Sequence, residues 1–120
     1  MNIGVTGTKG EDMVARFVQT KGFNVVKRNY QCRFGEIDII AENGDTIAFI
    51  EVKTRKLDSL VPLEYTVDFH KRKRIMLTAE DYLSKTECDL QPRFDVALVT
   101  VSPKTENTSG YSLKYIENAF

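Results

Sequence analysis

Asp38, Glu51 and Lys53 have the residue types and spacing to bring three charged side chains onto one face of a hairpin. Two carboxylates can hold a hard divalent cation, and an amine two residues beyond the second can balance part of their charge. The spacing matters because alternate residues of an extended strand share a face. Ile47, Phe49, Glu51, Lys53 and Arg55 therefore line one side of a strand, and Ala48, Ile50, Val52 and Thr54 line the other. The first face begins apolar and turns charged halfway along, as expected of a strand that leaves a core and ends in a cleft.

Residues 36–42 and 46–55, rich in Ile, Val and Phe, flank Asn43-Gly44-Asp45, which predicts a tight reversal between antiparallel arms. A loop of two or four residues places Asp38 on the face of Glu51, and the four-residue loop sets them directly opposite. A loop of three or five separates them. Two carboxylates about 4 Å apart at an effective dielectric near 20 repel by roughly 4 kcal/mol, a large share of the roughly 5 to 15 kcal/mol that stabilises a domain. A divalent cation, a shared proton that raises one pKa, or the ammonium of Lys53 could relieve that repulsion. The last describes a surface charge network and stands equally open on the residues alone.

The remaining elements have to position this hairpin. Residues 8–21 read as an amphipathic helix with Met13, Val14, Phe17 and Val18 on one stripe and Gly22 just past its end. Thr8 and Glu11 have the spacing of a capping box, which gives Glu11 a structural role to set beside any chemical one. Residues 23–30 read as a strand and 31–35 as a loop, with Gly35 allowing an unusual backbone or a close approach. Residues 56–62 read as a polar loop that Pro62 keeps out of a helix. Residues 68–85 read as a second helix with Ile75, Met76, Ala79, Tyr82 and Leu83 at core spacing. The run His70-Lys71-Arg72-Lys73-Arg74 falls in its first turns, where the helix dipole disfavours cations, so it points to a use beyond helix stability as well as to a solvated face. Residues 93–101 form a strand apolar enough to be covered on both faces, 102–110 a flexible polar loop, and 111–117 a last strand at an edge.

The order α-β-β-β-α-β-β predicts an α/β fold with a mixed sheet flanked by helices, and 120 residues suit a single domain. The net charge of zero gives no bulk argument for nucleic acid or membrane, but residues 53–74 hold seven Lys and Arg against Asp58, Glu64 and Asp68. No apolar run approaches a membrane span and the first residues lack a leader pattern, so a cytoplasmic protein is expected. Cys32 and Cys88 form no CxxC pair and are expected as thiols. A single histidine, His70, excludes a multi-histidine zinc site, and a site of oxygen ligands favours Mg²⁺, Mn²⁺ or Ca²⁺.

Gly10-Glu11, Gly35-Glu36-Ile37-Asp38, Glu51-Val52-Lys53-Thr54-Arg55, Lys71 and Arg93-Phe94-Asp95 follow one another in an order that resembles the bacterial YraN-like (UPF0102) proteins over nearly the whole chain. That family looks like a member of the PD-(D/E)xK, or restriction endonuclease-like, group and is similar to archaeal Holliday-junction resolvases. Ile37 stands where the group's name expects Pro. The resemblance implies a restriction endonuclease-like mixed sheet on which Glu11, Asp38 and Glu51 are acidic ligands and Lys53 is the catalytic lysine, with Mg²⁺ or Mn²⁺ as cofactor. The Val52 carbonyl would be a further ligand, and Glu36 an acid behind the ligands. Lys71, Arg72 and Lys73 would hold flanking phosphates, and Tyr30, Arg33 and Arg55 the strand beside them, which sets affinity without sequence readout.

The expectation is a metal-dependent nuclease, structure-selective or nonspecific, acting on DNA more than RNA in repair or recombination, with a homodimer among its allowed assemblies. A nucleic-acid-binding module without turnover and a protein-interaction scaffold are the competing readings. Three intact charged groups in one cluster weigh against both, because a degenerate site has no evident reason to keep them.

Overall fold

A computed structural model describes residues 5–56, 68–102 and 110–120, with side chains from residue 9 onward. The predicted loop at 56–62, with its Pro62, lies almost wholly outside the described residues, as do 103–109. The element order is α1 (Val5–Thr20), β1 (Asn24–Cys32), β2 (Gly35–Glu42), β3 (Thr46–Lys56), α2 (Phe69–Thr86), β4 (Gln91–Val101) and β5 (Tyr111–Ile116). The strands form one mixed sheet in sequential order, with β3 and β4 parallel and every other neighbour antiparallel. The α-β-β-β-α-β-β expectation holds, with β5 at an edge.

Two apolar clusters sandwich the sheet. On one face, Val14, Ala15 and Val18 of α1 pack with Ile39, Ala41, Ala48, Ile50, Ala97 and Val99. On the other, Ile75 and Ala79 of α2 pack with Ile37, Ile40, Ile47, Phe49, Val96 and Leu98. This alternation follows from the pleat, since neighbours along a strand point to opposite faces. It places Val52 with α1 and leaves Glu51, Lys53 and Arg55 on the α2 side. β4 is buried without a break from Asp95 to Val99, as its apolar run predicts.

Three local expectations are corrected. α1 begins at Val5, so Thr8 lies inside the helix and not at the N-cap position the capping-box reading gave it. The 31–35 loop shrinks to the two-residue turn Arg33-Phe34, because β1 and β2 pair as far as Cys32↔Gly35. On α2, Met76 is 39% exposed, and Thr78 takes the buried place, satisfied by donating its hydroxyl to the Arg74 carbonyl. The basic start of α2 is offset by its cap, since Asp68 Oδ1 accepts the Lys71 N–H at 2.9 Å.

Candidate active site

The site lies where β2 and β3 part. Their pairing runs from Glu42↔Ile47 to Ile39↔Ile50, which encloses the four-residue loop that sets Asp38 opposite Glu51, and the paired ladder stops one step short of them. In place of the next ladder bond, Asp38 Oδ2 accepts the Val52 N–H at 2.7 Å. One strand residue points its N–H and C=O to the same neighbour, so the Val52 carbonyl faces this gap too.

The parting coincides with an irregularity in the strand on the far side. Asn29 adopts a left-handed φ of 54° and is skipped in the register between Arg28↔Ile39 and Tyr30↔Ile37, directly across from Asp38. Arg28 reaches Glu11 and Asp12 on α1, whereas Tyr30, two residues on, donates its hydroxyl to Asp81 on α2. Ile39 belongs to the α1-side cluster and Ile37 to the α2-side cluster. In regular strands residues two apart share a face, so both strands change face at this pair. Asp38 therefore sits at a break in the sheet rather than on a continuous face, and Glu36 still lines the same cavity and acts on the Asp38 charge.

Two close contacts bring the helices to this break. A Cβ on Gly10 would stand 2.8 Å from Thr54 Oγ1, so the glycine lets α1 approach β3 one residue past Lys53. Gly35, at φ +154°, passes α2 closely enough that a Cβ would lie 3.3 Å from Thr78 Oγ1.

A cavity of about 160 Å³ results, lined by Gly35, Glu36, Asp38, Glu51, Lys71, Arg74 and Ile75. That is room for a few waters or a hydrated ion. Glu51 is 8% exposed, and its Oε2 stands 2.6 Å from Lys71 Nζ. The Asp38 carboxyl is pushed up to about 7, chiefly by burial and then by the charges of Glu51, Glu11 and Glu36, against the lowering effect of the Val52 N–H. Lys53, on the strand face of Glu51, has its amine held below the ordinary lysine value by burial and by the neighbouring cations Lys71 and Arg55. A larger cavity of about 410 Å³, lined by Lys9, Asp12, Met13, Arg16 and Tyr111, holds one carboxylate, and Arg28 engages it at 2.8 Å. The chemistry therefore points to the smaller one.

The other expected site residues divide. Glu11 turns its Oε1 to Arg28 Nη2 and Asn29 Nδ2, each at 3.5 Å, outside the residues that line the Asp38 cavity, although its charge still acts on Asp38. Among the described residues no group of three or more His, Cys, Asp or Glu side chains is placed to hold a metal ion. Of the expected phosphate-holding residues, Lys71 is turned inward onto Glu51, Arg72 lies 5.6 Å from the Phe120 ring, and Lys73 is exposed on α2. Arg33 lies over Phe34 at the hairpin tip, and Arg55 is half-buried beyond Lys53. Arg74 lines the cavity; the sequence marks it as part of the basic run 70–74 but not among the phosphate-holding residues, and its position one turn after Lys71 is the signal that could have found it.

The donors suit a hard divalent cation. Two carboxylates and a strand carbonyl are oxygen ligands, and Mg²⁺ is commonly held by one or two carboxylates with water and substrate phosphate completing the shell. Glu36 lines the cavity with Asp38 and Glu51, and Glu11 does not.

Fold and site together define a mixed α/β protein with an acid-and-lysine cleft at a sheet opening. Residues 10–99 match the family described as Uncharacterised protein family UPF0102, and the chain belongs to that family. It is 43% identical to a UPF0102 protein of Dictyoglomus turgidum over the full length of both chains. It is 40% identical to one of Syntrophus aciditrophicus over 96% of this chain and 87% of that protein. A third, from Nocardia farcinica, is 43% identical over 81% of this chain and 77% of its own. Among the described residues no helix is long and apolar enough to cross a membrane.

Proposed function

We propose that this protein hydrolyses phosphodiester bonds in nucleic acid, DNA before RNA, as a structure-selective or nonspecific nuclease of the restriction endonuclease-like kind dependent on Mg²⁺ or Mn²⁺. The observation that carries the reading is the opening of the β2–β3 ladder at Asp38 and Glu51, where both residues line one cavity beside the strand that carries Lys53. When bound, a divalent cation supplies charge neutralisation at the phosphate and a lowered pKa for a coordinated water.

The protein's own groups account for the rest. Asp38 and Glu51 provide the anionic donors, and Val52 fixes Asp38 through its N–H. Lys53, its amine held below the ordinary lysine value, would orient the attacking water and stabilise negative charge on the phosphate oxygens. Lys73 and Arg74, exposed on α2, supply cations for flanking phosphates without reading bases.

The test is cleavage of duplex, single-stranded, flap and four-way DNA and of RNA with Mg²⁺ or Mn²⁺. Lys53→Ala should keep the fold and nucleic-acid binding and lose cleavage by about 10² to 10⁴. Glu51→Ala should lose cleavage together with its metal dependence. Wild-type protein that cleaves none of these substrates with either metal ends the proposal. The inward Lys71–Glu51 pair favours a second reading, a nucleic-acid-binding module without turnover, which salt-dependent binding with no cleavage would select.

A further inference from the structure

We propose that Lys71 is the resident counter-ion of the cleft in its metal-free form, and that it yields Glu51 to an incoming divalent cation and turns to the phosphate of a bound strand. The inference rests on the reading of Asp38 and Glu51 as cation ligands.

Its basis is the geometry of one ion pair. Lys71 Nζ stands 2.6 Å from Glu51 Oε2, the shortest ion pair among the described residues. An ammonium at that distance occupies Oε2 and repels a second positive charge brought to the same carboxylate. The two therefore compete for Glu51.

The partners are unequal in freedom. The Glu51 side chain is 9% exposed and is fixed on β3, whose Glu51 pairs with Val96 of β4 in an uninterrupted ladder. The Lys71 side chain is 42% exposed and sits on a flexible four-carbon stem. Its backbone is held independently, because the Lys71 N–H is bound by the Asp68 cap at 2.9 Å. The amine can thus leave Glu51 without unwinding the helix. Arg74 lines the same cavity with Glu36, Asp38 and Glu51, so a divalent cation entering with Lys71 in place would set four positive charges against three acids. Departure of Lys71 removes that excess and puts a cation at the cavity mouth, where a phosphate completing the metal shell would lie.

The experiment titrates the metal-free full chain with Mn²⁺, read by the loss of the free-ion electron paramagnetic resonance signal. Lys71→Met and Lys71→Gln should each bind Mn²⁺ about tenfold or more tighter than wild type, because the competing charge is gone. Lys85→Gln, which removes the same charge from the far end of α2, should stay within about twofold. Urea midpoints confirm that the variants compared are folded, and Lys71→Gln keeps a polar partner for Glu51 should Lys71→Met unfold. Unchanged or weaker Mn²⁺ affinity in folded Lys71 variants overturns the inference and leaves the nuclease reading standing. Absence of Mn²⁺ binding in wild type and variants alike overturns both.

A second measurement addresses the phosphate half of the exchange. Duplex DNA binding by Lys71→Gln should match wild type within about twofold without divalent ions, and fall several-fold below it with Ca²⁺ present. Equal losses in the two conditions overturn the exchange.

Discussion

Asp38 carries two conflicting demands. Its oxygen accepts the Val52 N–H, which favours the anion, while burial and the acids Glu51, Glu11 and Glu36 favour the neutral form and prevail, raising the carboxyl to about 7. A carboxyl raised on folding holds its proton in the native state after the unfolded chain has lost it. Its contribution is present below the ordinary value of 3.8 and is lost as pH climbs to about 7, so metal-free protein weakens across that window. Asp38→Asn keeps an acceptor for Val52 and removes the ionisation. The variant should be about 1 to 3 kcal/mol more stable than wild type at pH 8 without metal, with the difference vanishing near pH 4. Paired urea melts at the two pH values measure it, and a variant weaker than wild type at pH 8 would refute the account. Added Mn²⁺ should raise the melting temperature of wild type and leave Asp38→Asn unmoved. At this scale the sequence was informative, because the alternation of Glu51 and Lys53 places their charges by simple parity and one of the loop lengths left open, four residues, pairs Asp38 with Glu51. The inward turn of Lys71 was not readable, since it depends on how closely α2 approaches β3, a distance that no spacing along the chain encodes.

At the scale of elements, the strands that carry periodic apolar residues follow the sequence and the exceptions are single residues. Parity assumes regular strands, and Asn29 at φ 54° breaks it for β1 and, across the pair, for β2 at Asp38. Asparagine tolerates left-handed backbone better than most residues, but that tolerance does not announce itself in a pattern. Met76 and Thr78 show a similar limit, because helical spacing offers both to the core and only the approach of Gly35 to Thr78 decides between them. The capping-box reading of Thr8 and Glu11 failed because α1 starts at Val5, upstream of that local signal. Asn29→Gly should stay within about 1 kcal/mol of wild type, because glycine adopts the same backbone freely. Asn29→Val should cost about 1 to 2 kcal/mol or more, since a β-branched residue resists positive φ. The metal response should fall with it, as the strands regain regular pairing or open further. Equal stability of the two variants would show that the left-handed residue does not shape the break.

Across the whole molecule, the cleft depends on β3 being held from the side away from β2. Its partner there is β4 in a parallel ladder of eleven pairs from Thr46↔Gln91 to Lys56↔Val101, and the pair Ile50↔Asp95 lies immediately before Glu51↔Val96. Asp95 is fully buried and serves as an anchor rather than a ligand of the cleft. Arg93 grips it through Nε at 3.0 Å and Nη2 at 2.9 Å, the Tyr115 hydroxyl donates at 2.6 Å and the Asn118 N–H at 2.8 Å. The anchor gathers β5 and the residues after it, since Ala119 N–H donates to the Phe94 carbonyl and Phe120 stacks on Phe94 with ring centroids 5.3 Å apart. The sequence marks Arg93-Phe94-Asp95 as a motif but cannot separate an anchoring acid from a cation ligand, because both are buried aspartates; the side-chain partners decide it. Arg93→Met strips the principal cation from a buried carboxylate while leaving the cavity side chains in place. Stability should fall by about 3 to 5 kcal/mol, the range for breaking a buried ion pair by removing one partner. A urea midpoint that moves by less than about 1 kcal/mol would mean that Tyr115 and Asn118 suffice to hold the Asp95 charge. A loss in the expected range would place the stability of the cleft in a side-chain network on the opposite face of the sheet from Lys71.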